Sequence, residues 1–429
     1  MFETILALLK ASGADAWEAS DTVTEGWEFY FIRHRLDQNR VRDVEHIRVR
    51  VCRKSPEGKT LGSASGEIAP TATREEAAAM IARLLQQAEL VKNPYYTLNQ
   101  PRGGAEPAGE AADLAALSRD FVETMRSLPE TQTEDVNSYE IFTSNVKRRL
   151  VNSEGVDVTT VAPRSALEVV VNARREAHEI ELYRMYTSGT CDREGLRARI
   201  SETMRFGRDR LAAVPTPRLG TSAVVFSTDA AVELYRCFID RVSAEYRYQQ
   251  LSDLAPGREA VEGARGDRLT IHAVKHLDNS SANAACDAEG APVRDLALIE
   301  DGVVRGCWGS RQFAQYLNLE DSFIAGNFAV AGGVQPAQAL REGPCLEVVE
   351  FSDFQVDAVT GDLAGEIRLG YLRDADGVKI VTGGSVSGSL LELAKDMRFS
   401  AETVQYDNIV IPAVTRLEGV SVTGAAGRD

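Results

Sequence analysis

Two histidines set four residues apart, His272 and His276 in IHAVKH, are the first residues whose type and spacing could do chemistry. On a helix that spacing places both imidazoles on one face, where they could grip zinc. The flanking residues read as strand, however, and strand positions four apart are separated by about 13 Å. No acid follows His272 directly and no third ligand lies near, which argues against a metal site. His34 and His46 sit among arginines on predicted strands, and solvated strand faces are expected for both. His178 is followed by Glu179 but has no second histidine within helical reach. No G-x-S-x-G elbow and no Walker A loop occurs, and no pair of carboxylates is singled out by spacing as general acid and base.

Chemistry could also come from backbone. Residues 360–397 read TGDLAGEIRLGYLRDADGVKIVTGGSVSGSLLELAKDM. Ile367, Leu369 and Tyr371 alternate with Glu366, Arg368 and Gly370, a period of two that predicts a half-buried strand. Asp376-Gly377 predicts a hairpin turn and 378–381 the returning strand. Gly383, Gly384 and Gly388 come next, ahead of a helix that Ser389 and Glu392 would open as a capping box. Two readings stay open: a plain Gly-rich turn, or a wall of bare N–H groups for an extended peptide or other anion-like group. On the second reading Thr360, Gly361, Asp362, Gly383 and Gly384 are the peptide-binding candidates.

These residues need a scaffold. Phe2, Ile5, Leu6 and Leu9 share a helical face that Gly13 terminates. Strands are predicted at 28–36, 45–52 and 61–68, with Ile47, Val49 and Val51 facing one way and His46, Arg48 and Arg50 the other. Thr73 and Glu76 form a capping box for a helix to about Leu90. Pro and Gly crowd 93–110, read as a linker or long loop. Beyond it come a helix over 113–128, five short strands between 139 and 185, and a helix over 193–213. Pro215 and Pro217 mark the main boundary, at 214–218. After it a strand over 223–226 leads into a helix over 229–242, capped by Ser227 or Thr228, with Ala231, Leu234, Tyr235, Phe238 and Val242 as its apolar stripe. Short strands and turns fill the rest. The expected fold is therefore α+β. An N-terminal α/β domain with antiparallel sheet spans 1–92 and 111–213, and a mostly-β domain, barrel- or sandwich-like, spans 219–429.

Composition narrows the function classes. The 429 residues carry a net charge of −16, which repels phosphate backbones and disfavours nucleic-acid binding. Six scattered cysteines without a CxxC pair fit a reducing cytosol, so a cytoplasmic location is expected. MFETILALLKASG lacks a basic n-region, and no apolar run approaches the roughly 20 residues of a membrane span.

Read in order, AVVF, TDAAVELYRCFIDRV, the D-x-E-G-x-P run from Asp287 to Pro292, LIEDGVV, Gly326-Asn327, TGDLAGEIRLGYL and GGSVSG resemble the TldD/PmbA family. WEFYFIR, VKNPYYTL and NSEG resemble its N-terminal and middle parts. The resemblance implies an N-terminal α/β domain, a largely β C-terminal domain and a cleft at a dimer interface. It implies kinship with metalloproteases of the TldD type, which act with a paralogous PmbA/TldE partner on unfolded peptides such as a microcin precursor and an antitoxin. The family has also been called a modulator of DNA gyrase.

The departures matter more. TldD-type members carry HExxxH where this chain reads YRCFID, so the ligand positions hold Tyr235 and Asp240 and the catalytic glutamate position holds Arg236. The family's third ligand is a cysteine after the Gly-rich loop, and no cysteine occurs beyond Cys345. Tyr235 is expected in the apolar stripe, with Arg236 and Asp240 forming an i,i+4 pair. No catalytic residue and no metal are therefore expected in this chain, with zinc only in a TldD-type partner. The expected role is a TldE/PmbA-like subunit that pairs with a TldD-type paralogue around an extended peptide. The alternative is a homodimer that binds peptide without cutting it.

Overall fold

The computed structural model describes residues 1–102, 109–319 and 321–425. Part of the proposed 93–110 linker and the last residues of the 219–429 domain lie outside these. The elements of the first half, in chain order, are α1 (Phe2–Ala11), β1 (Ala16–Ile32), β2 (Arg35–Lys54), β3 (Thr60–Ile68), α2 (Arg74–Leu90), β4 (Asn93–Pro94), α3 (Leu114–Arg126), β5 (Glu134–Asn152), β6 (Asp157–Arg175), β7 (His178–Ser188) and α4 (Arg193–Leu211). Among the described residues the seven strands form one antiparallel sheet in the order β4-β3-β2-β1-β5-β6-β7.

Several strands are longer than their sequence signals. The run predicted at 28–36 is broken by a hairpin at Arg33, whose φ of 51° turns the chain back. The five short strands merge into three, because side-chain alternation continues through Asn145 and through Pro163. Pro163 is tolerated because β7 pairs with β6 only from Ser165 onward, so Pro163 has a neighbour on one side only. The start of the proposed linker is ordered too. Asn93–Pro94 pairs with Thr60 and Leu61, and Tyr96 and Leu98 are buried. The 1–92 and 111–213 parts thus share one sheet, joined along β1 and β5.

One face of that sheet is apolar. Ile47, Val49 and Val51 pack with α1 and with Ala77, Ile81 and Leu84 of α2. Thr73 caps α2 as expected: its Oγ1 accepts the Glu76 N–H at 3.2 Å and Glu76 Oε2 accepts the Thr73 N–H at 2.7 Å. At the other end of the sheet, α3 and α4 cover Ile141, Leu167 and Val169, and this core takes in Val349 and Leu369 from the second half.

The second half is built of strands around one buried helix. Cys345–Val356 pairs with Gly220–Phe226, which pairs with Thr415–Thr423, then Ser385–Ser389, then Asp362–Asp374, which returns to Cys345–Val356. These strands close into a barrel. A second sheet runs Val303–Val304, Leu296–Glu300, Ile271–Val274, Asn327–Val330, Ile409–Pro412, Thr403–Tyr406. Between the two lies α5 (Ala231–Arg241), whose Leu234, Tyr235, Phe238 and Ile239 belong to a single core reaching both. Neither Ser227 nor Thr228 caps it with a side chain; Ser227 Oγ donates to Glu347 Oε1 at 2.7 Å instead. The fold is α+β, as expected. Among the described residues no helix is long and apolar enough to cross a membrane.

Gly384 shows how tightly the barrel closes. Its φ is +78°, and an added Cβ would lie 2.1 Å from the Thr423 carbonyl oxygen. Gly13 has a similar φ of +72° with nothing within 4 Å. Gly384→Ala should therefore cost about 2 kcal/mol or more in urea unfolding, and Gly13→Ala about 1 kcal/mol. Equal costs would refute the close-approach account.

Candidate functional site

The second face of the N-terminal sheet is polar, and its residues line up across strands. His46, Thr22, Arg148 and Thr160 are register partners on β2, β1, β5 and β6. Two rows on, Arg50, Glu18 and Asn152 are likewise aligned. Alternation alone separates these from Ile47, Val49 and Val51; what covers them is set by the second half of the chain.

The cover is the turn formed by Asp287-Ala288-Glu289-Gly290-Ala291-Pro292. Asp287 ties it: one carboxylate oxygen accepts the Glu289 and Ala291 N–H groups at 2.8 and 2.9 Å, and the other accepts the Ile324 N–H at 2.7 Å. Gly290 has φ +79° and comes so near the sheet that a Cβ would meet Val156 Cγ1 at 2.8 Å and Leu150 Cδ2 at 3.0 Å. Arg148 donates to the Ala288 and Asp287 carbonyls at 2.6 and 3.4 Å. Asn152 Nδ2 donates to the Asn99 carbonyl at 2.8 Å, and Asn99 Nδ2 to the Glu289 carbonyl at 3.1 Å. Thr97 and Gln315 exchange bonds across the same seam, with the Thr97 N–H on Gln315 Oε1 at 3.0 Å and Gln315 Nε2 on the Thr97 carbonyl at 2.7 Å.

Under the cover, Glu18 pairs with Arg50 and both are largely buried. Burial pushes the Glu18 carboxyl up, against the lowering pull of Arg50. Burial also pushes Glu289 up, to about 7, against the Arg311 N–H that its carboxylate accepts at 2.7 Å. Glu18 and Asp287 add to the rise, and Arg50 opposes it.

The cover is incomplete. Beside it a cleft of about 950 Å³ opens between the polar sheet face and the segments 282–288 and 324–326. The sheet contributes Ser20, Thr22, His46, Arg48, Arg148, Thr160 and Arg164; the opposite wall is mostly alanine and backbone. The volume lies within the usual range for ligand pockets. His46 was expected on a solvated face; it lines this cleft half-exposed, with Nδ1 2.6 Å from Glu67 Oε1. His34 is partly buried, with Nε2 3.0 Å from Glu130. His276 lies on the rim, and His272 is on a strand as expected.

Comparison with known proteins places this architecture. Residues 219–424 match the family model described as the PmbA/TldA metallopeptidase C-terminal domain. Residues 219–424 thus carry this family's C-terminal domain. A metalloprotease of Methanothermobacter thermautotrophicus is 25% identical over 165 residues, 35% of this chain and 34% of that protein, so the match spans about a third of that relative. The crystal structure of TldE from Thermococcus kodakarensis superposes with a TM-score of 0.77 at 17% identity, covering 98% of this chain and 100% of that one. A proposed modulator of a DNA gyrase from Thermotoga maritima gives 0.77 at 16% identity, covering 98% and 99%. At these identities the likeness is one of fold.

The TldD/PmbA resemblance placed a degenerate metal motif on α5, and its side chains do not fit zinc. Tyr235 is 0% exposed, its hydroxyl bonded to Thr415 Oγ1 at 2.6 Å and its ring edge-on to Phe399. Burial raises this phenol's pKa, which disfavours the phenolate a metal would need. Arg236 is a cation whose Nη2 donates to Asn408 Oδ1 at 3.1 Å rather than reaching Asp240 as an i,i+4 pair. Asp240 is pushed up by burial, with Arg236 pulling it down through charge. Among the described residues no group of three His, Cys, Asp or Glu side chains is placed to hold a metal ion.

The glycine candidates lie elsewhere and are engaged in the fold. The Gly361 N–H donates to the Asp357 carbonyl at 2.8 Å, and the Thr360 N–H to Asp357 Oδ1 at 2.9 Å. Thr360 Oγ1 donates to Asp362 Oδ2 at 3.0 Å. The Gly383 N–H donates to the Ile367 carbonyl at 2.9 Å, and the Gly384 carbonyl accepts the Ile367 N–H at 3.0 Å. Gly388 sits within a strand opposite Leu363, and Ser389 makes no side-chain cap to the short helix Leu390–Leu393. The N–H groups of Gly361 and Gly383 are thus not bare. Sequence alternation did not reveal Arg148, Arg164, Thr22 and Thr160 as a group. It could have sorted the residues within each strand, but only register sets them side by side.

Protein purified without chelator should carry far less than one zinc per chain by mass spectrometry, and stoichiometric zinc would refute the donor-set argument. Glu289 titrates near 4.5 when unfolded and near 7 when folded. Its stabilising contribution is full below pH 4.5 and lost as pH rises through 7, roughly 3 kcal/mol in all. Glu289→Gln keeps an acceptor for the Arg311 N–H and should flatten the decline in urea stability between pH 5 and 7.5; an unchanged slope would exclude Glu289 as its source.

Proposed function

We propose that this chain is the non-catalytic, TldE/PmbA-like subunit of a two-chain metalloprotease that processes unfolded peptides, with zinc supplied by a TldD-type paralogue. The observation that carries this reading is the state of α5. It is kept as a core helix, but the place where hydrolytic chemistry would sit is filled by a buried phenol and a guanidinium. A cleft of peptide-binding size is linked to it through Asn408, which accepts from Arg236 and donates to the carbonyl of the cleft residue Gly326 at 2.7 Å. A chain so built can hold an extended polypeptide and cannot activate water through this helix. We assign the peptide to this cleft rather than to the loops at Gly361 and Gly383.

The test is reconstitution with an HExxxH-bearing paralogue from the same source. The two chains should co-elute in size exclusion, and peptidase activity should require both and be abolished by a chelator. Failure to co-elute, with activity of the paralogue unaffected, would refute the subunit reading. Peptide binding by a homodimer of this chain in that case would favour the stand-alone binder.

A further inference from the structure

The chain has 64 acidic and 48 basic residues, yet the cleft reverses that sign. Among the described residues its lining includes Arg48, Arg148 and Arg164, against the carboxylates of Glu110 and Asp287. Both Asp287 oxygens are taken up by three backbone N–H groups of the cover, so they are committed to holding that turn. Arg148 rests its donors on carbonyl oxygens, so its positive charge is not cancelled by a bonded carboxylate. Arg164 stands exposed at the mouth. Arg48 is 3.7 Å from Glu67 with both largely in solvent, an ion pair that screens it little. The facing wall is narrow in chemistry: Ala282, Ala284, Ala285 and Ala325 leave room for a main chain without selecting large side chains.

We propose that the cleft selects extended peptides rich in aspartate and glutamate, with Arg148 as the inner carboxylate site and Arg164 and Arg48 as outer ones. This rests on the peptide-binding reading above and adds the substrate class. Arginine suits the role because its planar fork matches a carboxylate. A polynucleotide is a poorer occupant, since it would carry its charge past the negative exterior of a −16 chain, whereas a peptide need present only a few carboxylates.

The experiment uses the full-length chain and four fluorescent probes: an unstructured decapeptide with four glutamates, its glutamine and lysine counterparts, and a ten-nucleotide single-stranded DNA. Anisotropy titrations should show the glutamate peptide binding about tenfold tighter than the glutamine peptide, with the advantage shrinking as salt rises. The lysine peptide should bind weakest. Arg48→Glu and Arg164→Glu, both at exposed positions, should each cut the advantage severalfold, and Arg148→Gln, checked for unchanged melting, should do so most. Equal binding of the glutamate and glutamine peptides would overturn the charge selection while leaving peptide binding intact. No binding of any peptide would overturn both. DNA binding tighter than the glutamate peptide would overturn the substrate class in favour of a nucleic-acid site.

Discussion

The polar face of the seven-stranded sheet sets the terms for the molecule. Glu18, Arg50 and Arg148 project from central strands and cannot be buried bare, because a desolvated charge without partners is costly. The turn 287–292 meets that constraint with carbonyl oxygens for Arg148, a glycine that lets backbone approach the sheet, and Glu289 facing the Arg50 side. The two halves of the chain are therefore held together by hydrogen bonds at one end of the sheet. At the other end the contact is apolar, where Val349 and Leu369 join the core of α3 and α4. The cleft exists because the polar cover stops short, leaving Thr22, Arg148 and Thr160 reachable from solvent.

That seam also explains which motifs carried the family signal. VKNPYYTL, NSEG and D-x-E-G-x-P are far apart in the chain and are turns or loops taken singly. In the fold they converge: Asn152 of NSEG bonds Asn99, the residue that follows VKNPYYTL, and Asn99 bonds Glu289 of the D-x-E-G-x-P run. Their order is visible in the sequence, and the structure shows the reason they go together. Each satisfies backbone groups that the others leave open at the domain junction.

Local signals were legible where local physics decides. The Thr73 capping box, the Asp376-Gly377 hairpin and the stripe of α5 are set by neighbours within a few residues. Signals failed where long-range pairing overrides them. Ser389 could cap a helix, but its strand pairs with Asp362–Glu366, and the chain reaches the helix with no bond from the Ser389 side chain. The Gly-rich loops left two readings open in the sequence, plain turn or exposed backbone, and only the fold shows Gly361 fitting under Leu391 and Gly384 against Thr423. The polar row was invisible for a different reason. His46, Thr22, Arg148 and Thr160 are neighbours only through the register of four strands, which no single stretch encodes.

The same logic bears on α5. A helix that holds a catalytic metal must keep ionisable side chains in a half-dry site, at a cost in stability. Here the position matched to a ligand carries a tyrosine that is wholly in the core, and its one polar atom is satisfied by Thr415. The position matched to the catalytic glutamate carries an arginine bonded to Asn408, which in turn holds Gly326 at the cleft wall. The helix therefore presents packing and hydrogen-bonding residues at the matched positions. Its side chains have been recruited into packing the barrel and fixing the rim of the cleft, so restoring one ligand would break a structural contact without assembling a site.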